Sequence, residues 1–235
     1  MFLFFLAVLA SVFRPPYRPA NLLKQIHFVG VRSLFVIILT AMFAGMVLSL
    51  QGYYTLTRFG AEGLLGPAVA LSIIRELGPV LSGLMVTGRA GSALAAELGI
   101  MRIREQIDAL EVMGIAPLQF LVAPRVLAGL VAMPILTVIF DVIGIMGGYL
   151  IAVQLLNMSS GVYFSGIESA VVMRDIVTGL IKAVSFGLIV TWVCTFKGYH
   201  AKRGAEGVSH AATSAVVLSS VLILICDYFI TSMLL

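Results

Sequence analysis

Charge is scarce in this sequence: Asp, Glu, Lys and Arg make up 11% of its 235 residues, where soluble domains carry about 25%. With 60% of the residues apolar and a mean hydropathy of +1.10, a soluble globular chain is excluded. Cysteine is scarcer still. Cys194 and Cys226 each lie inside an apolar run, with no CxxC spacing and no His nearby, so neither a disulfide framework nor a zinc site has anything to build on. Nucleotide hydrolysis lacks its usual residues as well. Lys24, Lys182, Lys197 and Lys202 follow Leu23, Ile181, Phe196 and Ala201, so none completes the GxxxxGK[ST] loop that cradles phosphates. The three histidines, His27, His200 and His210, form neither an HExxH pair nor a triad with a nucleophile elbow, which leaves hydrolase chemistry without support.

What the sequence has in plenty is apolar length. A membrane crossing needs about 20 apolar residues, and five runs of that size predict an all-α integral membrane protein with spans over 30–50, 64–98, 126–150, 176–196 and 211–234. The second run exceeds the hydrocarbon core at about 1.5 Å per residue, and Gly78 with Pro79 near its middle predicts a bend. Residues 1–13 are apolar, uncharged and too short to span. Arg14, Pro15, Pro16, Arg18 and Pro19 follow, so the start reads as an interfacial helix and linker over 1–27 rather than a signal peptide with a basic n-region. A loop of mixed polarity is expected over 154–175.

The most polar segment lies between spans two and three, GIMRIREQIDALEVMGIAP (99–117). Ile103, Ile107 and Leu110 recur at helical spacing, with Arg102, Arg104, Glu105, Asp108 and Glu111 between them, which predicts a short amphipathic helix ended by Gly114 and Pro117. Basic residues collect on one side of the membrane: Arg14, Arg18, Lys24 and Arg32, then Arg102, Arg104 and Arg125, then Lys197, Lys202 and Arg203. The other side has Arg58 and Arg174. The net charge of +4 is therefore an orientation signal and not a nucleic-acid surface; the N-terminus and the amphipathic helix are expected in the cytoplasm and the C-terminus in the periplasm.

Four ionisable residues sit where lipid should be. Arg75 and Glu76 lie mid-span in run two, Lys182 in run four and Asp227 in run five; unpaired, the set would cost on the order of 10 kcal/mol to insert. They must meet one another or a polar cavity. Adjacent helical residues diverge by about 100°, so Arg75 and Glu76 cannot readily share one partner, and the pattern favours a substrate-cavity lining over ion pairs that only hold helices together. Asp141 is a further intramembrane acid, expected to reach water or Tyr149. Gly83, Thr87, Gly91, Ala95 and Gly99 form a small-residue stripe, and Gly144 with Gly148 forms another, both read as close helix contacts. Arg89 and Glu97 are expected to fix the angle of the amphipathic segment. An odd number of spans cannot divide into equal inverted halves, so a symmetric pathway would need a homodimer.

Several runs now resemble a known family: GMVLSLQGY (45–53), ALSIIRELGPV (70–80), GRAGSALAAELGIMRIREQIDALEVMGI (88–115), PRVLAG (124–129) and PILTVIF (134–140) are similar to the MlaE (YrbE) permeases. The resemblance covers 28–235 as one permease domain. It implies the membrane subunit of an ABC transporter moving phospholipid or a related lipid between the bacterial inner and outer membranes. Implied partners are a second copy of the chain, two cytoplasmic ATPase subunits that bind the ATP and Mg, and a periplasmic ring of MCE-domain proteins; no cofactor is implied in this chain. It further implies a coupling helix carrying Glu97, Arg102, Arg104, Glu105, Asp108 and Glu111, and a lipid cavity using Arg75, Glu76, Lys182 and Asp227. Leu48 and Ile73 are expected to line that cavity against acyl chains. Asp141 departs from the apolar residue the resemblance would place there. The competing reading is an ion- or proton-coupled carrier with Glu76, Asp141 and Asp227 as a relay; a structural scaffold explains the glycines but not the buried charge.

Overall fold

The computed structural model of the chain describes residues 1–12 and 19–234; Arg14, Pro15, Pro16 and Arg18, part of the expected linker and charge count, lie outside the described residues. Every regular element among the described residues is helical. Five helical stretches are long and apolar enough to cross a membrane: Pro19–Thr57, Glu62–Ile103, Leu118–Leu155, Met173–Tyr199 and Ala205–Leu234. Helices suit that solvent because they satisfy their own backbone groups.

Helix α1 (Phe2–Val12) packs Val8 beside Leu98, Ile107 and Leu121 in a small cluster at one end of the bundle. Helix α2 (Pro19–Val29) runs through a 3₁₀ turn at Val31–Ser33 into α3 (Leu34–Thr57), so the first span begins well before the expected residue 30. The extension is held from inside the protein. Arg89 donates to Phe28 O at 2.6 Å and to Ser33 Oγ at 2.9 Å, which corrects the expectation that it braces the amphipathic segment. In α3 the buried residues Ile37, Ala41, Gly45 and Ser49 recur every fourth position, a narrow face that lies on α8 (Ala123–Leu150). Gly45 and Gly144 meet backbone to backbone there, and Gly148 touches Gly45 O, as small residues at this spacing permit.

The second span is broken by two π-helical turns, Ile73–Leu77 and Thr87–Gly91, into α4 (Leu65–Ser72), α5 (Gly78–Val86) and α6 (Ser92–Ile103). Its small-residue stripe faces the last two spans, Gly83 toward Phe186 and Ile223, Gly91 toward Cys194, and Gly99 toward Ala201 and Val208. The amphipathic segment is not one helix from Glu97. Glu105 adopts φ 55°, and the chain turns there from α6 into α7 (Gln106–Val112). An Arg102–Asp108 pair at 2.5 Å spans the break, and burial of Ile107 against Leu98 and Val122 rewards it. Glu97 therefore lies on the continuing span, 3.0 Å from the buried Arg125 of α8.

The region expected as a loop over 154–175 contains a helix, α9 (Ser160–Ala170). It packs on α4, because Tyr163 buries its ring there and donates to Ile145 O at 3.2 Å, an anchoring a polarity scan does not register. Helices α10 (Met173–Tyr199) and α11 (Ala205–Leu234) complete the bundle. α11 is the least covered of the five spans, with 11% of its apolar window buried.

Candidate functional site

Proline 79 begins the chemistry of the site. It has no N–H, so the carbonyl four residues earlier, on Arg75, loses its α-helical donor. The helix opens into the π turn Ile73–Leu77, where the Gly78 amide reaches back to Ile73 O. Arg75 and Glu76 both sit on this widened turn, and such turns recur where a helix must redirect side chains.

Helix α10 comes close enough to use the freed carbonyl because Gly179 faces the turn: a Cβ there would lie 2.5 Å from Ile74 O. One turn on, Lys182 is 0% exposed. Its ammonium donates to Glu76 Oε2 at 2.5 Å and to Arg75 O at 3.0 Å, and forms an ion pair with Asp227, whose Oδ1 lies 2.9 Å away. Thr231 of α11 donates to the other Glu76 oxygen, Oε1, at 3.2 Å. Arg75 points elsewhere, with Nε and Nη2 each 2.8 Å from Asp175 Oδ1. Three of the four nominated residues thus share one knot, and the fourth stands beside it with a partner of its own.

Asp175 is the member that sequence reasoning missed, because it falls at the edge of the expected loop. The available signal is its place near the start of α10, where its Oδ2 accepts the Val172 N–H at 3.1 Å as a helix cap. Arg174, whose guanidinium reaches Leu234 O, lines with Arg75, Glu76, Asp175, Thr178 and Thr231 a recess of about 100 Å³. Its charges balance, Arg75 and Arg174 against Glu76 and Asp175, with Lys182 and Asp227 paired behind them. The balance is asymmetric in access: Lys182 is sealed, whereas the Arg75 side chain is 40% exposed, and its Nη1 has no partner among the described residues, leaving it for a further acceptor.

The apolar candidates are placed differently from expectation. Ile73 is 1% exposed and packs on Gly144, so it belongs to the core and not to a cavity wall. Leu48 is half-buried on α3, whose main neighbour is α8. Asp141 is half-buried, and its Oδ1 is buried against Gly78 without a hydrogen-bond partner among the described residues. Among the described residues it shares no direct bond with Glu76 or Asp227. Of the coupling candidates, Arg104, Glu105, Asp108 and Glu111 gather around α7, and Tyr199 Oη donates to Glu111 Oε1 at 3.4 Å.

Comparison with known proteins adds what the chain is similar to. The model of the family described as Permease MlaE matches residues 22–233. A probable ABC transporter permease protein of Rickettsia typhi is 44% identical over 232 residues, 99% of this chain and 90% of its own length. The intermembrane phospholipid transport system permease protein MlaE of Haemophilus influenzae is 46% identical over 214 residues, 91% of this chain and 82% of its own. A probable ABC transporter permease protein of Synechocystis is 36% identical, covering 90% of this chain and 80% of its own.

Proposed function

The chain belongs to the MlaE permease family, and from that premise we propose that it is the membrane subunit of an ABC transporter moving phospholipid, or a related lipid, between the inner and outer membranes. It is a permease and not itself an enzyme. The observation that carries the substrate class is the divided charge cluster: Lys182 is neutralised inside the protein while Arg75 keeps a free donor facing a recess. An intramembrane guanidinium with open valence is expensive and suits a planar, bidentate partner such as a phosphate. A recess of about 100 Å³ admits a phosphate group and not a whole lipid, since pockets for drug-sized ligands run to about 300 Å³ or more. The acyl chains must therefore lie on exposed apolar faces, and the uncovered side of α11 supplies one. Two copies of the chain closing around that space make the cavity.

In this reading the chain sits in the bacterial inner membrane with its N-terminus cytoplasmic and its C-terminus periplasmic. Two ATPase subunits dock at α7 and hold ATP and Mg, and an MCE-domain ring covers the periplasmic side. Residues 1–27 form the interfacial segment and 28–235 the permease domain. Arg75, Glu76, Lys182 and Asp227 serve the lipid head, Leu48 the chains, and Arg102, Arg104, Glu105, Asp108 and Glu111, with Glu97 behind them, transmit the ATPase stroke.

The test substitutes Glu76 by Ala and by Lys. Each frees Lys182 from one partner, so lipid transport in reconstituted vesicles should fall at least about tenfold, as loss of a buried charge partner predicts, while membrane insertion and ATPase binding persist. A photocrosslinker at Thr178, on the rim of the recess, and another at Leu48 should capture lipid in cells. Normal transport by both variants with capture at neither position overturns the cavity assignment.

A further inference from the structure

Helices α10 and α11 carry a second charged region at their other end. Lys197 follows Lys182 by fifteen residues on α10, about 22 Å along the axis, so it belongs to the opposite side of the membrane from the recess at Arg75. There the chain leaves α10, turns through Lys202, Arg203 and Gly204 (φ 92°), and enters α11 at Ala205. Gly207 lets this turn fold back onto the first turn of α11, since a Cβ at that position would strike the Lys202 carbonyl. Between the two helix ends lies a pocket of about 500 Å³, with Lys197, His200, Lys202, Arg203 and His210 on its walls.

The cations here are unspent, in contrast to Lys182. Lys197 and Lys202 have no ion pair or hydrogen bond among the described residues, and Arg203 has one distant acid, Glu105 at 4.0 Å, with both side chains exposed. Glu206 is the one acid on the pocket wall. His200 Nδ1 lies 2.9 Å from Phe196 O, which makes it the donor there and leaves Nε2 free. The amides of the first turn of the 30-residue α11 open at the same mouth.

An apolar surface adjoins this basic mouth. Phe4 of α1 lies 5.3 Å from the Phe196 ring and 5.6 Å from His200, and Phe5 lies 4.9 Å from Trp192. The opposite flank of α1 leaves Leu3, Leu6 and Leu9 exposed. A soluble anion has no use for that surface, whereas an anion tethered to hydrocarbon uses both parts. We infer that the pocket between the basic ends of α10 and α11 binds the headgroup of an anionic phospholipid, its phosphate at Lys197, Lys202 and Arg203 and its acyl chains along α1. Basic pockets between helices at a membrane face have the chemistry for such headgroups. The site is separate from the Arg75 recess and does not depend on what the transporter carries; in the orientation proposed above it faces the cytoplasmic leaflet.

Trp192 is the sole tryptophan, one turn before Phe196, and reports on occupancy directly. The full-length chain is reconstituted in vesicles of phosphatidylcholine with increasing brominated phosphatidylglycerol, or with brominated phosphatidylcholine instead, and bromine quenching of Trp192 is followed. The anionic lipid should quench at much lower mole fraction than the zwitterionic one. In the K197Q/K202Q/R203Q variant the half-quenching fraction of the anionic lipid should rise about tenfold, whereas K24Q/R32Q, which removes cations outside the pocket on the same face, should leave it unchanged. Equal quenching by both lipids, or an unshifted curve in the triple variant, overturns the proposal. Loss of the anionic preference on adding inorganic phosphate at constant ionic strength would make the pocket a site for soluble phosphate and overturn it too. So would a triple variant that retains the lipid preference and loses its ATPase, which would mark a protein-docking surface.

Discussion

At the scale of single residues, Pro79 does more than bend a helix. By removing one N–H it leaves the Arg75 carbonyl open to the Lys182 ammonium, 3.0 Å away, and it holds open the π turn that lets Arg75 face Asp175 while Glu76 faces Lys182. Alanine at 79 restores the donor, and closing the turn to an α-helix would rotate Arg75 and Glu76 by about 100°. Helix propensity alone favours the alanine by about 3 kcal/mol, which offsets the lost pairing, so P79A should melt within a few degrees of the parent. Lipid transport should nonetheless drop about tenfold or more, because the buried Lys182 would retain one carboxylate partner where it now has two. Transport assays in vesicles beside thermal unfolding check this; a P79A permease with parental transport would show that the π turn is dispensable.

At the scale of elements, the turn at Glu105 decides what the polar segment can do. A continuous helix from Glu97 would project its charges along the axis of the second span. The left-handed residue instead swings α7 aside, with Ile107 pinned in the core and Asp108 and Glu111 outward. A seven-residue helix fixed at its apolar side and charged on the other fits a groove on a soluble partner. Charge reversal by E105K and D108K should therefore dissociate the ATPase or separate ATP hydrolysis from transport, read by co-purification and by the ratio of lipid moved to ATP hydrolysed. Full assembly and an unchanged ratio in both variants would remove α7 from the coupling role. D108K also breaks the 2.5 Å pair with Arg102, but both partners are substantially exposed, so the pair itself contributes little to stability.

At the scale of the whole molecule, five spans and a one-sided excess of Lys and Arg predict a topology with the termini on opposite faces. Single cysteines placed between Lys197 and Arg203, in a background lacking Cys194 and Cys226, should react with a membrane-impermeant maleimide in inverted vesicles and not in intact cells. Labelling only from outside the cell would invert the orientation, and with it the leaflet assigned to the basic pocket. The bundle also leaves α11 largely uncovered along Val217, Val221, Tyr228 and Phe229, beside the end where the Arg75 recess opens. In the dimer proposed above, that uncovered side is the face on which a second copy is expected to lie.

The sequence by itself determined the solvent, the number of crossings and the residues that had to be special. Apolar runs of membrane length leave helices as the available form, and Arg75, Glu76, Lys182 and Asp227 stand out because charge in lipid demands a reason. The glycines at 144 and 148 likewise declare a close contact before the partner, Gly45 of α3, is known. Which groups pair was decided only in three dimensions. Lys182 lies more than a hundred residues from Arg75 and Glu76, and the local signal at Asp175, its capping place in the first turn of α10, says nothing of the Arg75 pair that it completes. Ile73 looks lipid-facing in a list of apolar residues and is core because Gly144 makes room for it. Helix α9 escaped notice because the acceptor that fixes its Tyr163, Ile145 O of α8, lies outside the segment. Hydropathy is a property of neighbours along the chain, whereas pairing, burial and the shape of a recess depend on neighbours across it.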